Sequence, residues 1–331
     1  MQNQVGGECS GIAFFENASR GFGDAFEARD QGGVDSGLLV GPYRLVEMLG
    51  EGASSRVYSA EHLELGSRVA LKLLQERHGG SLTKVMRFML ECELLSRIRH
   101  PNVVGIIERG ETNSREHFVA LELFDGETLR DKLFHEGVMS LGDAVDVGLQ
   151  LARGIKAVHA ADVIHCDIKP DNINLGTNKT GVDGYTVKLF DFDAARWIDS
   201  TTSRTTAILP TGAVLGTPGY MAPEQEQGLA VDRRSDIYAF GVVLYEMLTG
   251  CAPYGGMTLA DKVRTCLFAA PKPLRSFRHL EAKIPKDFES LVRACLERSP
   301  DRRPATMQVV IERLEHIALD LCVANGMAAA S

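Results

Sequence analysis

The chain has 331 residues, which at about 150 residues per domain leaves room for two folding units. Hydrophobic residues make up 44% and charged residues 24%, a globular balance that excludes wholesale disorder. With 36 Lys and Arg against 44 Asp and Glu, the net charge of −8 argues against nucleic-acid binding through bulk electrostatics. Seven widely spaced cysteines without a Cys-x-x-Cys pattern exclude a disulfide framework and a structural zinc site, and fit a reducing, cytoplasmic setting. No signal-peptide pattern opens the sequence and no apolar run approaches ~18 residues, so no membrane span is expected.

Residues 1–41 hold nine glycines and no sustained period, and read as a flexible leader, with ordered structure starting near Pro42. Tyr43–Leu49, Arg56–Ala60 and Arg68–Leu74 read as three strands separated by Gly and polar turns. Ser81–Arg99 carries apolar residues at 85, 88, 92 and 95, which is helical spacing. Val103–Arg109 and His117–Phe124 read as two more strands. After Asp125-Gly126 the pattern turns helical, over Thr128–His135, Leu141–Ala160, Asp236–Leu248, Lys286–Glu297 and Ala305–Val323. Val163–Leu175 and Thr186–Phe192 read as short strands with loops, and 198–217, rich in Ser and Thr, as a long loop.

Leu49-Gly50-Glu51-Gly52-Ala53-Ser54-Ser55-Arg56-Val57 sits between the first two strands. Glycines there let backbone amides approach a phosphate, although two turn glycines of a hairpin explain it equally well. In Val69-Ala70-Leu71-Lys72, strand alternation puts Ala70 and Lys72 on one face and Val69, Leu71 and Leu73 on the other. A lysine among such residues needs a partner. Glu91 and Glu93 lie ~200° apart on the following helix. Glu91 neighbours Phe88 and Leu95 on the packing face, so it is the expected partner and Glu93 the solvated one.

Val163-Ile164-His165-Cys166-Asp167-Ile168-Lys169-Pro170-Asp171-Asn172-Ile173-Asn174-Leu175 holds ionisable and amide groups between apolar flanks. Phosphoryl transfer needs these parts: a carboxylate to receive a hydroxyl proton, a lysine to offset phosphoryl charge, and an amide oxygen for magnesium. Val187-Lys188-Leu189-Phe190-Asp191 ends an apolar strand in an acid suited to a metal.

Taken in order, these motifs resemble the eukaryotic-like serine/threonine protein kinases, with bacterial members the most similar. Lys72 and Glu91 match the family's lysine–glutamate pair. Asp167, Lys169 and Asn172 match the catalytic loop, and Asp191 the magnesium aspartate. Gly216-Thr217-Pro218-Gly219-Tyr220-Met221-Ala222-Pro223-Glu224 matches the peptide-binding segment. Asp236 with Gly241 matches the central helix, and Arg303 the arginine that pairs with Glu224. The resemblance covers residues 43 to 315.

It implies an α+β, two-lobed protein-kinase-like fold, with a small β-rich N-lobe (42–124) carrying one key helix and a larger helical C-lobe (125–316). A leader (1–41) and a tail (317–331) flank it, leaving no room for a sensor domain or membrane anchor. It implies ATP with Mg2+ or Mn2+ as cofactors and Ser/Thr hydroxyls of proteins as acceptors. Asp167 is the base, Lys169 acts at the γ-phosphate, and Asn172 and Asp191 hold metal. Leu49, Gly50, Gly52, Val57, Ala70, Lys72, Glu91 and Asn174 surround the nucleotide. Glu122 and Leu123, after Leu121, form the hinge, and Thr217 bonds near Asp167 and Lys169. A homodimer through the N-lobe is an option the resemblance leaves open.

Four residues depart from the family pattern. Cys166 replaces the arginine before the catalytic aspartate, so no guanidinium pairs there with a phosphorylated activation loop. Asp193 replaces the glycine two residues after Asp191; glycine permits unusual φ there and aspartate is less permissive. A second carboxylate near Asp191 leaves tighter metal binding and repulsion both open. Asn174 puts an amide, on the face of Asn172, beneath the expected adenine position, and Ser55 replaces a loop glycine. Ser200, Thr201, Thr202, Ser203, Thr205, Thr206, Thr211 and Thr217 are candidates for autophosphorylation near Arg196 and Arg204. The departures keep open a second reading, a pseudokinase that binds nucleotide as a scaffold. A small-molecule phosphotransferase is disfavoured by the Gly216–Glu224 peptide platform.

Overall fold

The computed structural model describes residues 37–52, 55–74, 82–112, 116–177, 184–199, 204–206, 216–254, 258–280 and 284–329. The amino-terminal half of the cleft is a six-stranded antiparallel sheet. Its strands are β1 (Leu39–Val40), β2 (Tyr43–Glu51), β3 (Ser55–His62), β4 (Arg68–Leu74), β5 (Ile106–Glu111) and β6 (His117–Glu122), in the order β1-β2-β3-β4-β6-β5. Between β4 and β5 runs helix α1 (Leu82–Ser96). Strand alternation sorts the sheet into two faces, as the sequence period requires. Val69, Leu71, Tyr43, Tyr58 and Phe118 form one small core. Val57, Ala70, Val119 and Leu121 face the opposite way and join the main core with Phe88, Cys92 and Leu95 of α1.

The carboxy-terminal part begins with the short strand β7 (Glu127–Thr128) and helices α2 (Leu129–Glu136) and α3 (Leu141–Ala160). Thr128 and Ser140 cap these helices, each hydroxyl accepting from the amide three residues on. Then come β8 (Val163–Ile164), β9 (Ile173–Thr177), β10 (Tyr185–Leu189), β11 (Arg196–Asp199) and β12 (Arg204–Thr206). Helices α4 (Pro223–Glu226), α5 (Arg233–Thr249), α6 (Leu259–Phe268), α7 (Lys286–Cys295) and α8 (Met307–Ala329) complete it.

Helix α5 is the centre of this part. Every residue from Ser235 to Thr249 is buried, the pattern of a helix enclosed on all sides. A Cβ added at Gly241 would lie 2.6 Å from Cβ of Cys295, so only glycine lets α5 approach α7 this closely.

Several elements differ from the sequence reading. Ordered pairing begins at Leu39, where β1 bonds to β2, rather than near Pro42. The stretch 198–217 is not all loop: Trp197–Asp199 pairs with Arg204–Thr206, a pairing too short to leave a period in the sequence. Helix α6, absent from the expected helices, carries the capping box Thr258/Asp261 as its start signal. Helix α8 continues to Ala329, beyond the expected tail boundary. The leader up to residue 36, together with Ala53, Ser54 and Ser200–Ser203, lies outside the described residues, as does Thr211.

Among the described cysteines, Cys92, Cys166, Cys266 and Cys295 are buried, Cys251 is half-buried and Cys322 is exposed. Burial pushes Cys92 and Cys295 up to about 12 and Cys266 up to about 11. The nucleophile in thiol chemistry is the thiolate, so these sites are expected to be inert. Native protein treated with a thiol-exchange chromogen at pH 8 should react at Cys322 within minutes and at the four buried thiols only after denaturation. Fast labelling of Cys92 in the folded protein would contradict this arrangement.

Candidate active site

Two carboxylate–cation assemblies meet at Asp191, which feels Lys72 of one and Asp167 and Lys169 of the other. In the first, Lys72 of β4 is only 6% exposed. Its Nζ donates to both oxygens of Glu91, at 2.7 and 2.8 Å. Glu91 is buried on α1, whereas Glu93 is half-buried and pairs with Arg97 at 2.9 Å. The helical phase that separated the two glutamates in the sequence is the phase observed. Lys72 also donates to Oδ1 of Asp193 at 2.7 Å, and Asp191 Oδ1 lies 3.9 Å away. Burial alone would pull the lysine pKa down, but Glu91, Asp193 and Asp191 hold it well above its usual value. The ammonium therefore stays charged.

The second assembly is the loop between β8 and β9. Lys169 Nζ sits 2.9 Å from Asp167 Oδ2 and donates to Thr217 Oγ1 at 2.8 Å. Asn172, in the 3-10 turn Pro170–Asn172, donates Nδ2–H to the Asp167 carbonyl at 2.9 Å and to the Asp167 Oδ2 at 3.3 Å. This turns Asn172 Oδ1 away from Asp167. Asp167 Oδ1 is buried and has no hydrogen-bond partner among the described residues. A buried acceptor left unsatisfied is a place where a donor belongs.

The loop is held from below by Asp236 of α5. Its carboxylate accepts from the amides of His165 and Cys166, both at 2.9 Å, and contacts His159 Nε2 at 2.8 Å. His165 donates Nε2–H to the Phe190 carbonyl at 3.0 Å, which ties the loop to the strand that delivers Asp191. Cys166 takes a left-handed φ of 66° and packs with Ile164, Ala194 and Val231. The second left-handed residue here is Asp191, with φ 59°, whereas Asp193 does not take a positive φ. The wider φ range that glycine permits is thus not used at position 193.

The remaining expected residues line the sheet side. Val57 and Ala70 lie on the face that carries Lys72, with Val57 paired to Lys72 in register. Leu49 is half-buried at the end of β2, beside Gly50. An added Cβ at Gly50 would meet no protein atom within 4 Å, and one at Gly52 would touch only Ser55. The chain's own packing does not require these glycines. At the hinge, Glu122 pairs with Val69 in the sheet, and Lys188 holds its carboxylate at 2.7 Å. Leu123 packs against the core. Asn174 is half-buried in β9, opposite Lys188 and Thr128, while Asn172 lies in the preceding turn rather than on the strand.

One cluster escaped the sequence reading. Arg130 of α2 bonds Glu246 at 2.7 Å and Asp171 at 3.2 Å, and contacts the Tyr220 hydroxyl. Tyr220 in turn donates to Glu246 at 2.6 Å. These residues come from four separate segments, and only their assembly shows that Arg130 fixes Asp171 beside Lys169 and Asn172. The Gly216–Glu224 segment is also anchored at its far end, where Glu224 accepts from Arg303 at 2.7 and 2.8 Å.

Comparison with known proteins agrees with this geometry. The protein kinase domain family matches residues 43–314. The chain is 33% identical over 275 residues to serine/threonine-protein kinase pkn3 of Myxococcus xanthus, covering 83% of this chain and 50% of that protein. It is 35% identical over 281 residues to pkn2 of the same organism, covering 85% and 33%. With serine/threonine-protein kinase PknL of Mycobacterium tuberculosis it shares 32% identity over 297 residues, covering 90% and 71%. A two-part α+β fold with a lysine–glutamate pair facing a His-x-Asp loop defines a protein-kinase-like catalytic domain. The chain belongs to the protein kinase family. It spans half or less of the length of the two Myxococcus relatives. Among the described residues no helix is long and apolar enough to cross a membrane.

Proposed function

We propose that this protein is an ATP- and magnesium-dependent protein serine/threonine kinase, with residues 42–316 as its catalytic unit. The observation that carries the reading is Asp167 Oδ1, a buried carboxylate oxygen without a partner beside a lysine and an asparagine. The residues present fit a metal-bound nucleotide: unpacked glycines at 50 and 52, a charged Lys72, and Asn172 Oδ1 turned away from Asp167. Asn172 and Asp191 are the residues that would hold the cation, and Lys72, fixed by Glu91, the α- and β-phosphates. Val57, Ala70, Leu49 and Asn174 would surround the adenine, read by the backbone at Glu122 and Leu123. When bound, magnesium–ATP supplies the γ-phosphoryl group and the charge that offsets it.

The chain's own groups do the rest. Asp167 Oδ1 accepts the acceptor hydroxyl's hydrogen bond and then its proton. Lys169 keeps the Asp167 carboxylate oriented through Oδ2 and brings positive charge to the transfer site. Thr217 ties Lys169 to the segment expected to carry the protein substrate. Incubating the protein with γ-labelled ATP and a generic protein acceptor, then mapping the phosphosites, tests the reading. Label on Ser or Thr supports it. Nucleotide binding without turnover would instead favour the scaffold reading, which the occupation of Lys72 by Asp193 motivates.

Control of this activity is expected not to depend on activation-loop phosphorylation. Cys166 is a neutral thiol, held up by burial, in an apolar cluster where a guanidinium would be needed to grip a phosphate. Turnover measured before and after phosphatase treatment should agree within about twofold, whereas loss of a single essential phosphate contact costs tenfold or more. A collapse after dephosphorylation would show another cation doing that work.

A further inference from the structure

We propose that Asp193 is an intramolecular competitor for Lys72, a carboxylate that the phosphates of a nucleotide must displace to reach the ammonium. The inference rests on the nucleotide-binding reading above. It starts from a count of donors. A lysine ammonium has three N–H bonds and no more. Lys72 makes three short contacts, to Glu91 Oε1 at 2.7 Å, Glu91 Oε2 at 2.8 Å and Asp193 Oδ1 at 2.7 Å. Asp191, at 3.9 Å, stands outside hydrogen-bond reach. No donor remains for a phosphate oxygen.

One of the three contacts must therefore yield, and burial decides which. Glu91 sits on α1 among Phe88, Cys92 and Leu95, and is 5% exposed. Withdrawing it would strand a buried charge on both sides, which is strongly unfavourable. The Asp193 side chain is 50% exposed. It can leave Lys72 and be solvated, and ion pairs with an exposed partner are weak. A phosphate bears more charge than a carboxylate and needs the same donor, so exchange at this one position is the path of least resistance. Glycine, the residue this family usually carries there, has no side chain with which to compete. The backbone leaves this open, since Asp193 does not take a positive φ and substitution by alanine or asparagine brings no strain.

The consequence is a nucleotide site whose affinity is lowered only for ligands with phosphates. Calorimetric titration of wild type, D193A and D193N with ADP and with adenosine, each with magnesium and with chelator, reads it directly. D193A is expected to bind ADP about five- to tenfold more tightly than wild type, the size of one half-exposed charged hydrogen bond. Adenosine, which has nothing to offer Lys72, should bind both proteins equally. D193N, an acceptor without charge, should fall between them, and it supplies the comparison if D193A melts below the working temperature. Unchanged ADP affinity with intact adenosine binding would overturn the proposal. So would weaker ADP binding, which would make Asp193 a partner of the nucleotide's cation. If neither ligand binds any of the three proteins, the nucleotide-site reading falls together with it.

Discussion

Asp167→Asn is expected to lower kcat about a thousandfold while leaving ADP affinity within about twofold, within the range general-base catalysis supplies. The asymmetry follows from how the two carboxylate oxygens are used. Oδ2 is committed to Lys169 at 2.9 Å and to Asn172 at 3.3 Å, and both are structural contacts within the loop. Oδ1 is buried with no donor to accept from among the described residues. An asparagine retains the shape and can still offer one carbonyl oxygen. It cannot take a proton, and its NH2 group placed toward Lys169 or Asn172 sets donor against donor. Lys72, Glu91 and the hinge are untouched, so nucleotide binding should persist. The check is label transfer from γ-labelled ATP beside a calorimetric ADP titration on the same preparation. Full activity in D167N would remove Asp167 from the chemistry. Loss of ADP binding would mean that the loop had collapsed.

How much of this was legible beforehand depends on whether a feature is local. The Lys72–Glu91 pair was readable because two local rules met. Strand alternation fixed the face of Lys72, and 100° per residue fixed which glutamate shared the packing face of α1. Asp236 was readable as a residue of the central helix, but its anchoring of the catalytic loop was not. That one carboxylate takes two loop amides and His159 depends on α5 being enclosed on every side. The role of Asp193 was not readable. The residue that absorbs the tight turn after β10 is Asp191, with φ 59°, and this frees position 193 to project a side chain onto Lys72. The Arg130–Asp171–Tyr220–Glu246 cluster was invisible for a similar reason, since its members stand up to 116 residues apart. Each looks like an ordinary surface or core residue on its own element.

Arg303→Met is expected to be the most damaging substitution for stability, by about 3–5 kcal/mol, the range found when one partner of a buried ion pair is removed. The Arg303 side chain is fully enclosed, and all five of its N–H bonds are used. Two reach Glu224, at 2.7 and 2.8 Å, and three reach the carbonyls of Glu297, Arg234 and Arg298, at 2.7, 2.9 and 2.9 Å. Methionine fills part of the volume but returns none of these bonds. It strands three carbonyls, and among the described residues it leaves the Glu224 carboxylate with Ser235 Oγ, at 2.6 Å, as its side-chain donor. For a domain of this size the loss corresponds to a Tm lower by roughly 10 °C. Adding Glu224→Gln should restore part of it, because the stranded charge is then gone, so the double variant should melt above R303M alone. The same substitutions carry a functional readout. Glu224 ends the segment that holds Thr217 against Lys169 and Tyr220 against Arg130. R303M assayed well below its melting point should therefore lose phosphoryl transfer to protein while keeping ADP affinity. A melting temperature within 2 °C of wild type, or equal loss of ADP binding, would show that the pair does not fix this segment.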